Sequence, residues 1–287
     1  MTRIISVVNQ KGGVGKTTTV INIGAALAQL EKRVLLVDLD PQGNMSSGLN
    51  VTADDILEKN AYSALVGHST LFQNVVATTV KNLFVVPTDS NLAGAEIELV
   101  DVPRREYRLR DGLTQDLAVF DYLLVDCPPS LGLLTLNALC ASDSYLIPLQ
   151  TEFFAMQGLA NILKTIGLVR DHLNPTLHEE GILLTMFDSR SNLSKQVYNE
   201  VRTFARERLF TSVIPRRVRL AESTSHGIPG VMYDPACYGS RSYVEVAKEI
   251  ILRAQGQKSI PPEQKVVPPD PVDRVGRAIS PSPEISG

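Results

Sequence analysis

The chain has 287 residues, of which 44% are hydrophobic and 21% are charged, and its formal net charge is −3. This composition is typical of a globular protein and excludes disorder over the whole chain. No apolar stretch approaches the ~18 residues of a transmembrane helix, and the first residues lack the pattern of a signal peptide. The three cysteines form no CxxC pair, which argues against a disulfide framework or a thiolate zinc site and predicts a reducing cytoplasm.

Short apolar runs alternate with longer segments of helical spacing over residues 1–255. The predicted strands are Ile4–Val8, Val34–Val37, Leu83–Val86, Tyr122–Val125, Ser144–Pro148, Gly181–Thr185 and Thr211–Ile214. The predicted helices are Lys16–Leu30, Leu131–Ala141, Gly158–His172 and Asn192–Arg208, with Val51–Asn82 as an insertion or a pair of short helices. This order predicts a single doubly wound α/β domain with a mostly parallel twisted sheet of about seven to eight strands and helices on both faces.

The end of the chain has a different composition. Residues 256–287 contain seven of the 17 prolines and no aromatic residue. Proline pairs at Pro261-Pro262 and Pro268-Pro269 prevent a helix from continuing through this segment. We therefore predict a Pro-rich, disordered C-terminal tail over residues 256–287.

A glycine-rich loop follows the first predicted strand and leads into the first predicted helix. Residues 10–18 read QKGGVGKTT, a variant of the phosphate-binding loop in which Gln10 takes the place of the first glycine. Backbone N–H groups of such a loop and the positive end of its helix hold phosphate oxygens, Lys16 neutralises them, and the Thr17 hydroxyl suits Mg²⁺. The predicted ATP-binding residues of the loop are Lys11, Gly12, Gly13, Val14, Gly15, Lys16, Thr17 and Thr18.

Three aspartates come at or directly after the ends of predicted buried strands. Asp38 and Asp40 follow one strand, and Asp126 follows another. Ligands of parallel sheets bind at the carboxyl ends of the strands, so we expect these carboxylates beside the phosphate loop. Asp126 fits best as the carboxylate that holds Mg²⁺. An alternative for each aspartate alone is a helix cap or a turn residue.

Five segments of the sequence resemble those of a known family. The phosphate loop, VLLVDLDPQGN (34–44), DCPPSLGLLTLNAL (126–139), GILLTMFDSRSNLSKQV (181–197) and IPRRVRLAESTSHGIPGVMYDP (214–235) are similar to the deviant Walker A ATPases of the ParA/Soj type, which partition chromosomes and plasmids. MinD is a more distant relative in the same superfamily. The resemblance covers about residues 1–255.

The resemblance implies roles for individual residues near the phosphates. Lys11 corresponds to the signature lysine that reaches the phosphates of the partner subunit in an ATP sandwich dimer. Asp40 corresponds to the residue that orients the attacking water, so the expected catalytic set is Lys11, Lys16 and Asp40. The expected magnesium site contains Thr17, Asp126 and Asp38.

The resemblance also implies an adenine pocket and a DNA surface. Met186, Pro215 and Arg216 lie where the family builds the pocket, and Arg217 replaces an asparagine that is frequent in the family. Arg190 and Arg219 match basic positions that the Soj-type group uses for DNA contact.

A local excess of positive charge supports the DNA interpretation independently. Residues 190–219 contain eight basic and two acidic residues, so they carry +6 in a chain whose net charge is −3. On a helix from 193 to 208, an apolar stripe of Leu193, Val197, Val201 and Phe204 is expected to face the core. Lys195, Arg202 and Arg206 would form a basic stripe on the opposite face, suited to phosphate backbones without sequence preference. An ordinary solvated helix face is the alternative.

These observations predict a cytoplasmic, nucleoid-associated, Mg²⁺-dependent ATPase that separates DNA and has a low intrinsic rate. Its ATP-bound homodimer is expected to bind double-stranded DNA non-specifically, and a ParB-type centromere-binding protein is expected to stimulate hydrolysis and release it. No membrane contact is expected.

Other functions stay open on the sequence. A MinD-like membrane-associated ATPase would need an amphipathic C-terminal helix, which the Pro-rich tail does not provide. A redox ATPase like the nitrogenase iron protein would use two cysteines per subunit to bridge a cluster. The cargo could also be non-chromosomal. A non-enzymatic scaffold is disfavoured because the phosphate-loop lysines and the strand-end aspartates are all present.

Overall fold

The computed structural model describes residues 2–256 and contains one seven-stranded sheet in the order β3-β4-β2-β5-β1-β6-β7. Its strands are Arg3–Val7 (β1), Val34–Asp38 (β2), Val76–Ala77 (β3), Leu83–Val86 (β4), Tyr122–Asp126 (β5), Ser144–Gln150 (β6) and His178–Thr185 (β7). All neighbouring pairs are parallel except β3 with β4. The predicted single α/β domain is confirmed, whereas residues 257–287 of the predicted tail lie outside the described residues.

Twelve α-helices surround this sheet over the described residues. They are Lys16–Gln29 (α1), Asn44–Gly48 (α2), Ala53–Glu58 (α3), Ala61–Val66 (α4), Leu92–Glu98 (α5), Arg108–Asp111 (α6), Leu133–Ala141 (α7), Ala155–His172 (α8), Asn192–Ala205 (α9), Val218–Ser225 (α10), Gly230–Tyr233 (α11) and Tyr238–Ala254 (α12). None of them is long and apolar enough to cross a lipid bilayer.

The central strands are buried on both faces. In β2 the side chains of Leu35 and Val37 join one apolar cluster, whereas Val34 and Leu36 join the other. This separation follows from the alternation of side chains along a strand. The first cluster includes residues of α4, α7, α8 and α9, and the second includes residues of α1, α10, α11 and α12. Two helical layers therefore cover the sheet, which explains the continuous apolar runs in its strands.

Two predicted elements differ from the structure. The predicted strand Thr211–Ile214 is wrong, because the segment does not form a strand. Only isolated bridges flank it, between Ile182 and Leu209 before it and between Phe187 and Pro215 after it. The region Val51–Asn82 contains the two short helices α3 and α4 and also the short strand β3, which the sequence did not predict.

Helix α9 is shorter and rotated relative to the prediction. It ends at Ala205 because Arg206 takes a positive φ of 47°, and a 3₁₀ turn follows over 206–208. The buried residues of the helix are Ser194, Val197, Val201 and Ala205. Leu193 and Phe204 are 41% and 47% exposed, so the predicted core stripe was only half right. The spacing alone could not decide which edge of the apolar face contacts the protein.

Candidate nucleotide site and basic surface

The phosphate loop connects β1 to α1 at the carboxyl edge of the sheet. Gly13 and Gly15 have φ values of 74° and 90°, a left-handed conformation that favours glycine. Helix α1 begins at Lys16 directly after Gly15. The backbone therefore favours glycine at these two positions, and the N-terminus of α1 is directed at the space where an anion would bind.

Two neighbouring strands, β6 and β7, fix the position of this loop. The Asn9 side chain donates to the Pro148 carbonyl oxygen over 2.7 Å and accepts from the Lys11 N–H over 3.0 Å. The Thr185 hydroxyl at the end of β7 donates to the Val14 carbonyl oxygen over 2.8 Å. These bonds hold the loop against β6 and β7 without using the glycine N–H groups between them.

Lys16 is almost completely buried, with 6% of its surface exposed. Its Nζ donates to the Lys11 carbonyl oxygen over 3.1 Å. Burial lowers the pKa of this ammonium, and Asp126, Cys127 and Asp40 act in the opposite direction. A cation held in this way inside the loop is prepared to neutralise phosphate charge.

Asp126, the last residue of β5, is completely buried, and neither of its carboxylate oxygens has a hydrogen bond of ordinary geometry among the described residues. Burial raises its pKa well above the usual range and the Asp38 carboxylate adds to this, whereas the Thr17 hydroxyl and Lys16 oppose it. Oxygens left without partners in the protein interior are costly unless a ligand satisfies them. A hydroxyl and buried carboxylates are donors of the type that Mg²⁺ takes, so the residues fit the ion.

Asp38 is placed beside Asp126, since these two residues are paired across β2 and β5. Its carboxylate accepts hydrogen bonds from the backbone N–H and the hydroxyl of Ser46, at 3.0 and 2.8 Å, and from the Asp40 N–H at 3.2 Å. Burial raises its pKa to about 7, against these hydrogen bonds. The Ser46 hydroxyl also accepts from the Thr88 N–H over 3.0 Å. Asp38 therefore also ties the chain after β2 to the end of β4.

Asp40 lies two residues beyond β2 and is 7% exposed. Its Oδ1 accepts from the Gln42 N–H over 3.1 Å. The carboxylate acts on Lys16 and on Asp126 electrostatically, so the three groups share one site. The structure thus brings together the lysine and the strand-end aspartates that the sequence singled out.

Lys11 differs from Lys16 in its surroundings although both belong to one loop. Half of its side chain is exposed, and its ammonium pairs with Glu152, which follows β6. The nearby Phe153 and Phe154 are 74% and 64% exposed and pack edge to face. The lysine therefore lies at the rim of the site and is accessible from outside the subunit.

The residues predicted for an adenine pocket meet at the end of β7. Met186 has a positive φ of 51°, and the next residue, Phe187, accepts from the Arg216 N–H over 3.1 Å. Phe187 also donates its own N–H to the Ile214 carbonyl oxygen over 3.0 Å. We call residues 186–187 and 214–216 the base edge. The hydrogen bonds across it place Met186, Pro215 and Arg216 in two adjacent backbone segments.

The predicted DNA-contacting residues occupy several elements. Lys195 and Arg202 are seven positions apart on α9 and therefore share one side of it. Arg206 lies beyond the end of α9, so helix geometry does not place it in their stripe, in contrast to the prediction. Arg190 pairs with Asp188 before the helix, and Arg219 on α10 pairs with Glu222 at 3.1 Å.

Several residues that shape the site were not predicted. Asn9, Ser46, Glu152 and Thr185 all act through backbone or side-chain contacts that join distant parts of the chain. Asn9 and Thr185 stand at or near strand ends, a position that could have drawn attention to them. Nothing in the local pattern marks Ser46 or Glu152.

Two of the three cysteines are buried inside the subunit. Cys127 and Cys140 are 0% and 2% exposed. Burial raises the pKa of the Cys127 thiol well above its ordinary value and that of Cys140 to about 11. Both residues therefore act as small apolar core residues, a placement that speaks against bridging a cluster between subunits.

Comparisons with known proteins agree with this architecture. The family described as "AAA domain" matches residues 2–179. The sporulation initiation inhibitor protein Soj of Bacillus subtilis is 52% identical over 250 residues, covering 87% of this chain and 98% of Soj. The chromosome partitioning protein ParA of Myxococcus xanthus is 51% identical and covers 88% of each chain.

Solved structures with a similar fold include nucleotide-bound proteins. A cobyrinic acid a,c-diamide synthase from Mycobacterium smegmatis with bound ADP and magnesium is 37% identical, has a TM-score of 0.78, and covers 91% of this chain and 99% of its own. The septum site-determining protein MinD of Pyrococcus horikoshii, complexed with Mg-ADP, is 26% identical with a TM-score of 0.72 and covers 91% and 100%.

Proposed function

The chain belongs to the Soj/ParA family of chromosome-partitioning proteins, and from this premise we propose that it is an ATP- and Mg²⁺-dependent partition ATPase whose ATP-bound dimer binds DNA. The observation that carries the proposal is the pair of unsatisfied, buried Asp126 oxygens beside Thr17 and Lys16 in a glycine-rich loop. Structural relatives bind ADP and magnesium with the same fold.

The residues divide the work of phosphate binding and hydrolysis. The N–H groups of the loop and the Lys16 ammonium bind the phosphates, and Thr17 and Asp126, with Asp38 nearby, hold the magnesium ion. The ion supplies positive charge to the transferring phosphoryl group. Asp40 orients the attacking water, the role of the corresponding residue in the ParA/Soj family, and its burial beside the phosphate loop is compatible with that role.

Dimerisation is proposed from the position of Lys11. Its ammonium is half exposed at the rim and is paired with Glu152 in the same subunit. A second subunit facing this rim would receive Lys11 at its phosphates, where the positive charge acts like an arginine finger. Because this assembly needs two subunits, we expect slow turnover of the isolated protein and activation by a ParB-type partner.

DNA binding is assigned to the basic residues of 190–219, which come after β7 in the sequence. The predicted contacts are Arg190, Lys195, Arg202, Arg206 and Arg219. Four of them precede the base edge residues 214–216 in sequence and one follows them. No base-reading pattern accompanies them, so we expect backbone contacts and a steep dependence on salt. Association with the nucleoid follows from this property.

The proposal is tested by measuring duplex binding with ATP, ADP and no nucleotide at two salt concentrations. We expect the protein to bind duplexes of unrelated sequence with ATP but not with ADP or without nucleotide. Light scattering should show a dimer with ATP. A protein that stays monomeric with ATP and Mg²⁺ when hydrolysis is blocked by Asp40→Ala would contradict it. Co-sedimentation with liposomes in ATP would instead favour a MinD-like function.

A further inference from the structure

The segment before the base edge is held by a buried carboxylate of the last helix. Glu249 on α12 is 8% exposed. Its two oxygens accept from successive backbone N–H groups, Oε2 from Thr211 and Oε1 from Ser212, both over 2.9 Å. The segment forms no strand, so a side chain supplies acceptors that a neighbouring strand would otherwise provide.

A second residue of α12 contacts the same segment one turn later. The Arg253 guanidinium donates to the Leu209 carbonyl oxygen over 3.1 Å and lies 4.1 Å from the centre of the Phe210 ring. It also donates to the Glu180 carbonyl oxygen in β7. Glu249 and Arg253 therefore bind residues 209–212 from one side of α12, with a spacing of four residues that places both on one face.

Helix α12 also contacts the helix that starts at the phosphate loop. The buried Tyr243 hydroxyl is 3.2 Å from the Thr19 hydroxyl in the first turn of α1. The helix thus joins two parts of the site: α1, which begins at the phosphates, and residues 209–212, which lead into the base edge. From Ser212 to the base edge the chain is fixed further by the hydrogen bond from the Ile214 N–H to the Leu184 carbonyl oxygen, at 2.8 Å.

We propose that Glu249 is a positioning residue for nucleotide-base recognition: by holding the N–H groups of Thr211 and Ser212, it sets the base edge at a fixed distance from the phosphate loop. This inference rests on the proposed nucleotide site and on the expectation that Met186, Pro215 and Arg216 form its adenine pocket. Among the described residues, the side-chain hydrogen bonds of Glu249 go to Thr211 and Ser212 and not to the phosphate loop. Its loss should therefore weaken the part of the affinity that depends on the base and leave phosphate binding intact.

The test compares ATP with inorganic tripolyphosphate as competitors of a fluorescent ATP analogue in the presence of Mg²⁺. The variant is Glu249→Gln, which keeps the size of the side chain but replaces one acceptor with a donor. The control is Lys248→Ala, because Lys248 is half exposed on the same helix and pairs with Glu245. Glu249→Asp serves as the conservative variant, and thermal melts monitor folding.

We expect Glu249→Gln to weaken ATP binding about tenfold, because the base edge would occupy its binding position for a smaller fraction of the time, and to leave tripolyphosphate binding unchanged. Glu249→Asp should recover part of the ATP affinity, and Lys248→Ala should match the wild type. Equal losses for both ligands, or no loss for ATP, would overturn the proposal. If the wild-type protein binds ATP no better than tripolyphosphate, the base edge itself, and not Glu249, is wrongly assigned.

Discussion

The phosphate-loop end of the sheet and the basic surface of 190–219 are built in opposite ways. At the sheet, Lys16, Asp38 and Asp126 are buried and act on one another at short range. At the basic surface, Lys195 and Arg219 are exposed, and Arg219 already pairs with Glu222. The first region depends on exact geometry in a medium that screens charge poorly, whereas the second depends on summed charge in water.

This difference predicts two kinds of response to substitution. A buried polar group that loses its partner costs more than an exposed one, so changes near the phosphate loop should be large and specific. Exposed charges act almost independently, and each should contribute a small, salt-dependent amount. Substitutions in the two regions should therefore differ both in size and in salt dependence.

The largest effect is expected for Lys16→Ala. Removing the buried ammonium should weaken ATP binding by roughly 30-fold to 1,000-fold, the range for a buried charged contact. Calorimetric titration with a non-hydrolysable ATP analogue measures this. The matched variant Lys11→Ala removes the exposed lysine of the same loop. It should leave the affinity of a single subunit for ATP unchanged and lower the rate of ATP turnover. Equal losses of affinity in the two variants would remove the contrast between buried and exposed charge.

Next in size is the effect of Asp40→Ala on hydrolysis. The carboxylate that orients water is expected to account for about 10²-fold to 10⁴-fold of the rate. ATP binding should persist, so the variant should accumulate as a dimer on DNA. Phosphate release and light scattering measure the two outcomes. ATP turnover at the wild-type rate would show that Asp40 does not have this role.

In the absence of nucleotide, the Asp126→Asn variant should be more stable than the wild type, by a margin that grows as the pH rises. Because burial raises the pKa of Asp126, its contribution to stability is fully present below the ordinary carboxyl pKa and is lost as the pH rises through the folded-state value. The asparagine has no such charge, so its advantage should grow from pH 5 to pH 8 and reach about 1–3 kcal/mol. Chemical unfolding at several pH values measures it.

Mg²⁺ should stabilise the wild type and this variant to different extents. The variant should lose the stabilisation that Mg²⁺ with ADP gives the wild type, because the ligand binds the folded state through the replaced carboxylate. A constant difference in stability between the two proteins over this pH range would contradict the assigned effect of burial on Asp126.

The smallest effects belong to single residues of the basic surface. Lys195→Ala should reduce the slope of log affinity for duplex DNA against log salt concentration by about 0.9, with ATP binding unchanged. Combining it with Arg202→Ala should roughly double the change. Lys248→Ala, an exposed lysine on α12, serves as the control and should leave the slope as it is. An all-or-none loss from Lys195→Ala would show that this surface is not a sum of independent contacts.

Much of the site could be predicted because its signals are local. Gly13 and Gly15 are needed where the backbone has positive φ, and Asp126 stands at the end of an apolar strand. The failures are equally instructive. The segment Thr211–Ile214 has the composition of a strand, but Glu249, far along the chain, takes two of its N–H groups. Leu193 and Phe204 are exposed because of which neighbours pack against α9, and periodicity does not reveal those neighbours.

The alternation of strands and helices, the phosphate loop and the strand-end aspartates could all be read from the sequence, because backbone conformation and the period of apolar residues depend on neighbouring positions. Folding of the whole chain leaves Asp126 without ordinary hydrogen bonds among the described residues, pairs Lys11 with Glu152 and brings α12 against residues 209–212. These properties depend on contacts between residues far apart in the chain, where burial and distance set the energy of each charge and hydrogen bond.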